Sequence, residues 1–207
     1  SMKPFKMNDP TPHATHSLLG VVLNGGKSTR MGRTKASLTL PDGHTFLEHA
    51  IDRFSGVCDK VVISSALNDQ TDTCKLAPIV CDLEYSNGPL SGIYACLNYA
   101  AANKYSACLF TPIDMPYLRS DNLQLVKQKW RRDSDRIACV ENLSQATLEP
   151  LVAIIPTILT KSIEYQLQIG ERSVYRWMEH QELNRIPLDS TLLRNINQPD
   201  DYQATRN

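Results

Sequence analysis

A run of six apolar residues that breaks into a glycine-rich, cationic loop constrains this chain more than any other feature. Leu18, Leu19, Gly20, Val21, Val22 and Leu23 carry no polar alternation, as expected of a strand buried on both faces. The run gives way to Asn24-Gly25-Gly26-Lys27-Ser28-Thr29-Arg30-Met31-Gly32-Arg33-Thr34-Lys35, twelve residues with three glycines and four cations. Glycines let a backbone turn sharply and bring its N–H groups up to a ligand with no Cβ in the way. Arg30 and Lys35 add full positive charge beside those dipoles, and a di- or triphosphate suits the arrangement. A solvated strand-to-helix turn is what most isolated Gly-Gly pairs amount to. The ordered set Gly-Gly-x-Ser-x-Arg-Met-Gly-x-x-Lys is far more specific.

Two better-known phosphate loops are excluded. Gly26-Lys27-Ser28 looks like the end of a P-loop, but Val21 stands where its first glycine belongs, and no helix follows the lysine directly. The Rossmann fingerprint G-x-G-x-x-G is absent.

The 207 residues suffice for one full core, and 22 basic against 22 acidic residues leave no net charge. A broad nucleic-acid footprint is therefore not expected; positive potential is local to the loop. The six cysteines form no C-x-x-C pair, and their irregular gaps do not suit a zinc site. Cys81, Cys96, Cys108 and Cys139 lie in apolar runs, as core thiols do. No apolar run approaches the roughly 20 residues needed to span a membrane. With no signal peptide, the expectation is a cytoplasmic protein without disulfides.

Residues 1–16 read as a disordered lead and 17–207 as a single domain. After the loop come helix 45–54, strands 60–64 and 77–81, helix 90–102, strand 107–110, helix 122–130 and strand 136–140. Strands alternating with helices at this spacing imply βαβ crossovers. The expected fold is a three-layer α/β/α, Rossmann-like domain with a mainly parallel sheet and a small antiparallel element in its second half. That element is 147–155, interrupted by Pro150 and so read as an antiparallel edge or a small insertion. Helices 157–167 and 173–182, a last strand 183–188 and a closing loop 195–201 complete the chain.

Ligands of open parallel sheets bind beyond the carboxyl ends of the strands. Asn24, Ser64, Asp82 and Asp114 stand at four such ends. Asp114 lies in Phe110-Thr111-Pro112-Ile113-Asp114-Met115-Pro116, where flanking prolines restrict the backbone and fix the carboxylate's direction. Beside phosphates such a carboxylate suits Mg²⁺; the plain alternative is an aspartate that makes a turn or caps the next helix. No Ser–His or Cys–His pair is evident.

The segment Leu23-Asn24-Gly25-Gly26-Lys27-Ser28-Thr29-Arg30-Met31-Gly32 with Lys35 resembles the N-terminal signature of the nucleotidyltransferases related to molybdenum cofactor guanylyltransferase. That signature usually reads Leu-Ala-Gly-Gly-x-x-x-Arg-Met-Gly and a lysine. Gly88-Pro89-Leu90-Ser91-Gly92, Glu149-Pro150-Leu151-Val152-Ala153, Gly170-Glu171-Arg172-Ser173-Val174 and Asn195-Ile196-Asn197-Gln198-Pro199 resemble further family segments in the same order. Asn24 in place of alanine, Thr34 in place of aspartate or proline, Ser64 in place of asparagine and Gln198 in place of threonine depart from the pattern.

The resemblance implies the nucleotide-diphospho-sugar transferase type of fold, with residues 17–118 binding the nucleotide and 119–207 the acceptor. It implies a nucleotide site at Leu23, Asn24, Gly25, Gly26, Lys35, Ser64, Asp82, Gly88 and Asp114, with Asp82 on guanine. It also implies Mg²⁺ on Asp114, catalysis by Arg30, Lys35 and Asp114, and pterin contacts from Glu149, Asn195 and Asn197. The substrates would be GTP and molybdenum-loaded molybdopterin, with delivery proteins or apo-molybdoenzymes as further partners and neither nucleic acid nor membrane. A cytidylyltransferase, a sugar-phosphate nucleotidyltransferase and a non-catalytic GTP-binding delivery module remain alternatives.

Overall fold

A computed structural model describes residues 16–24, 35–66, 75–82 and 88–203. The loop residues Gly25, Gly26, Lys27, Arg30 and Gly32 and nearly all of the lead lie outside these residues. The opening apolar run forms strand β1 (Leu18–Asn24), buried along its length except at Asn24. Its side chains alternate between two cores: Leu18 and Val22 enter one, and Leu19, Val21 and Leu23 enter the other. Gly20 interrupts the first set because a Cβ there would come within 2.9 Å of the Phe54 ring.

Helix α1 (Phe46–Asp52) starts at the capping box expected from Thr45 and Glu48: Thr45 Oγ1 accepts from the Glu48 N–H, and Glu48 Oε2 accepts from the Thr45 N–H. There follow β2 (Lys60–Ala66), β3 (Ile79–Asp82), α2 (Pro89–Ala102), β4 (Ala107–Pro112) and α3 (Ser120–Arg132). The second half supplies β5 (Ile137–Asn142), β6 (Thr147–Pro156), α4 (Thr160–Gln168), α5 (Val174–Glu179) and β7 (Leu183–Leu188). Phe46 and Phe54 from the α1 segment and Leu123, Val126 and Trp130 from α3 pack on one face of the sheet. Ile93 and Leu97 from α2, Ile163 from α4 and Trp177 from α5 pack on the other. The expected three layers are present.

The seven strands form one sheet in the order β3-β2-β1-β4-β6-β5-β7. β6 runs antiparallel to both of its neighbours, and the remaining pairs are parallel. The antiparallel element is therefore as expected, but its placement at an edge is overturned: β6 lies inside the sheet. Pro150 is tolerated there because the β5–β6 register jumps from Cys139↔Ala153 to Val140↔Glu149, a bulge that leaves Pro150 opposite no paired residue. A bulge position demands no ladder N–H, so proline loses nothing. Cys81 is the other correction. β3 is an edge strand, with Val80 and Asp82 turned inward and Cys81 exposed.

Candidate functional site

Parallel pairing brings the strand ends into one row. Leu23 stands opposite Ser64 and Pro112, Ser65 opposite Asn24 and Cys81, and Ala66 opposite Asp82. Past β4 the chain makes one further bond to β1, from the Ile113 N–H to the Leu23 carbonyl at 3.2 Å, and then presents Asp114. Because β6 is reversed, its amino end, with Glu149, emerges at this same edge. The closing segment joins them, with the Ile196 N–H donating to the Asp114 carbonyl at 2.8 Å.

Lys35 opens a short 3-10 turn, Lys35–Ser37, and extends across these ends. Its Nζ lies 3.6 Å from Asp114 Oδ2 and donates to Asn197 Oδ1 at 3.5 Å, with the Phe46 ring centroid 5.6 Å away. Lys35 is 12% exposed and Asp114 30%, so the pair is partly withdrawn from water yet open to a ligand. Burial, and then the negative charge of Asp114, push the half-buried Glu149 carboxyl above its ordinary range. Lysine, two carboxylates and an amide thus converge from four separate segments. Asn195 is exposed, and among the described residues no hydrogen bond ties it to this group.

A second polar group lies deeper, between β2, β3 and α2. Asp82, 8% exposed, receives the Ser91 hydroxyl at 2.5 Å. Gly92 lets α2 approach the strands, since a Cβ there would meet Ser64 Oγ at 3.1 Å and Asp82 Oδ2 at 3.9 Å. Ser64 also hydrogen-bonds the Cys96 thiol, which burial pushes up to about 12. Helix α2 begins with Gly88 at φ +75°, a conformation that favours glycine, and with Pro89 in its first turn. A Cβ on Gly88 would lie 3.7 Å from the Arg172 carbonyl, so the Gly170-Glu171-Arg172 turn sits against this helix start.

The donor set of the first group is oxygen from Asp114 and Glu149. Among the described residues no cage of three or more His, Cys, Asp or Glu forms. Few protein oxygens, with the remaining positions left to water and phosphate, fit a hard divalent cation that arrives with a nucleotide.

The structure thus brings Lys35, Asp114, Glu149 and Asn197 together, places Leu23 and Asn24 in the same row, and groups Ser64, Asp82 and Gly88 at the start of α2. Arg30, Gly25 and Gly26 fall outside the described residues. Sequence reasoning missed Arg53, whose side chain is buried; burial lowers its pKa to about 10, and the charge of Asp114 opposes that fall. Its one signal was an arginine next to Phe54, one position off the apolar stripe and just past the end of α1. Gly92 was quoted only within a family segment and not as a site residue, yet its smallness is what lets α2 approach Ser64 and Asp82.

An α/β domain with a reversed strand inside its sheet, and a lysine, carboxylates and an amide gathered beyond its strand ends, has the form of a nucleotide-binding enzyme. A family profile described as MobA-like NTP transferase domain matches residues 20–185, and the chain belongs to that family of nucleotidyltransferases. It is 38% identical over 195 residues to a protein of Rhodopirellula baltica named probable molybdenum cofactor guanylyltransferase, covering 92% of each chain. It is 28% identical over 188 residues to the molybdenum cofactor guanylyltransferase of Yersinia pestis, covering 89% of this chain and 93% of that one.

Among solved structures, molybdopterin-guanine dinucleotide biosynthesis protein A of Archaeoglobus fulgidus superposes with a TM-score of 0.68 at 23% identity, covering 88% of this chain and 94% of that one. The 4-diphosphocytidyl-2C-methyl-D-erythritol synthase of Anaerococcus prevotii superposes with a TM-score of 0.67 at 10% identity, covering 90% and 95%. At those identities the likeness is one of fold. Among the described residues no helix is long and apolar enough to cross a membrane.

Proposed function

We propose that the protein transfers GMP from GTP to the terminal phosphate of molybdenum-loaded molybdopterin, forming the guanine dinucleotide cofactor and releasing pyrophosphate. The observation that carries this reading is the convergence of Lys35, Asp114 and Asn197 beyond the strand ends, in a chain whose relatives bear the guanylyltransferase name.

The acceptor phosphate is already a nucleophile, so the protein has no proton to remove by a Ser–His or Cys–His pair. An acceptor oxygen attacks the α-phosphorus, the bond from that phosphorus to the bridging oxygen breaks, and pyrophosphate leaves. What the chain supplies is alignment and charge. Lys35 is drawn toward Asp114 in the free protein and turns to the phosphates when they bind. Arg30 and the N–H groups of Gly25 and Gly26 take the remaining phosphate oxygens. Asp82 accepts from guanine N1–H and the exocyclic amine, a donor pair that cytosine does not present, while Ser91 fixes the carboxylate from behind. Gly88 and Gly92 keep Cβ atoms out of the nucleoside's path, and Leu23, Asn24 and Ser64 line its floor.

Asp114, with Glu149 beside it, would hold Mg²⁺, which supplies charge neutralisation at the phosphates and activation of the leaving pyrophosphate. In this reading residues 17–118 bind the nucleotide, and 119–207, through Glu149, Asn195 and Asn197, receive the pterin. Delivery proteins or apo-molybdoenzymes would take the product. Lys35→Ala and Asp114→Ala should each lose turnover by about a hundredfold or more with circular dichroism unchanged. Undiminished turnover in either variant would remove that residue from the chemistry.

A further inference from the structure

The closing segment that carries Asn197 is tied at both ends to the chain around Asp114. At its start the Ile196 N–H donates to the Asp114 carbonyl at 2.8 Å, and at its end the Gln203 N–H donates to the Tyr117 hydroxyl at 2.8 Å. Between these ties Pro199–Asp201 form a 3-10 turn, and the Tyr202 N–H donates to the Pro199 carbonyl at 3.1 Å. The Tyr202 ring is buried and stacks on the Tyr117 ring, with centroids 5.2 Å and planes 29° apart. It also meets the His49 ring of α1, tilted at 5.6 Å. His49 is itself held, its Nε2 lying 2.6 Å from Asp42 Oδ2 and its ring edge-on to His44 at 5.6 Å.

Asn197 needs such support, because its one bond to the site, from Lys35 Nζ to Asn197 Oδ1, is 3.5 Å long. A bond of that length is too weak to place the amide, so its position comes from the segment that bears it. We propose that Tyr202 is a positioning residue of the acceptor site: clasped by Tyr117 and His49, it fixes the closing segment so that Asn197 stays beside Lys35. Tyr202 touches no substrate in this scheme and acts through Asn197. The inference rests on the reading of Asn197 as an acceptor contact. A tyrosine that only filled the core would serve by its bulk, whereas ring contacts of this kind hold a preferred geometry.

Equilibrium dialysis of molybdopterin against the full chain, with a parallel titration of GTP and Mg²⁺, tests the proposal through a double-mutant cycle. Tyr202→Leu keeps an apolar side chain in the core but loses the stack. Tyr202→Leu and Asn197→Ala should each weaken molybdopterin binding about tenfold, and the double variant should bind no more weakly than Asn197→Ala alone. Tyr202→Phe, which keeps the ring, should bind as wild type does, and GTP affinity should stay within about twofold in every variant. A residue that only supports the fold would weaken GTP as well, and its loss would multiply with that of Asn197→Ala. Wild-type molybdopterin affinity in Tyr202→Leu, or multiplied losses in the double variant, overturns the proposal while Asn197 keeps its role. Wild-type affinity in Asn197→Ala overturns the acceptor reading of Asn197 and the proposal with it.

Discussion

Lys35 and Asp114 form an ion pair that their surroundings hold ready rather than tight. At 3.6 Å and partly exposed, the pair contributes little to stability, and either partner is free to exchange the other for a ligand. Glu149 is less comfortable, because its carboxyl is half-buried beside another negative charge. A carboxyl raised in this way favours the folded state most when protonated. Its contribution is fully present below the ordinary 4.5 and is lost as pH rises through the higher folded value. Glu149→Gln should therefore melt a few degrees above wild type near neutral pH in chelator-treated buffer, with the gap closing in acid. Equal melting temperatures across the pH range would show that Glu149 is not strained. Of these residues, Lys35 and Asp114 were legible in sequence because each sits in a specific motif at a strand end. Arg53 was not, because a charge one position off an apolar stripe reads as solvated until the fold buries it.

Each element reports a local constraint of its own. β1 was legible because a parallel strand covered on both faces must be apolar throughout. Gly20 within it is fixed by α1: Gly20→Ala would press a methyl against the Phe54 ring at 2.9 Å. Such overpacking costs about 1–3 kcal/mol, which urea denaturation should show as a lower midpoint with unchanged slope; a wild-type midpoint would mean that Phe54 moves aside freely. β6 was harder to place, because a proline inside a strand argues for an edge and a bulge cannot be seen without knowing which strand lies opposite. Cys81 misled for a related reason. Its apolar neighbours suggested a core thiol, whereas an edge strand alternates, and it takes the outward position. The capping box of α1 and the Gly88-Pro89 start of α2 were legible because their chemistry is local.

At the scale of the whole molecule, the reversal of β6 matters most. A wholly parallel sheet would carry Glu149 to the opposite edge; reversed, β6 delivers it beside Asp114, and the closing segment adds Asn197 to Lys35. The order β3-β2-β1-β4 sets Asp82, Asn24 and Asp114 along one rim, so the nucleoside and triphosphate ends of a substrate have separate places on a single scaffold. The alternation of strands and helices announced such a sheet, but the meeting of residues as distant as Lys35 and Asn197 belongs to tertiary structure alone. The central claim is guanylyl transfer, and pyrophosphate release from a panel of nucleotides with Mg²⁺ and molybdenum-loaded molybdopterin tests it most directly. The account predicts release with GTP that requires the molybdopterin acceptor, and little with CTP or ATP. Release with CTP but not GTP, or GTP binding without any pyrophosphate, would contradict it.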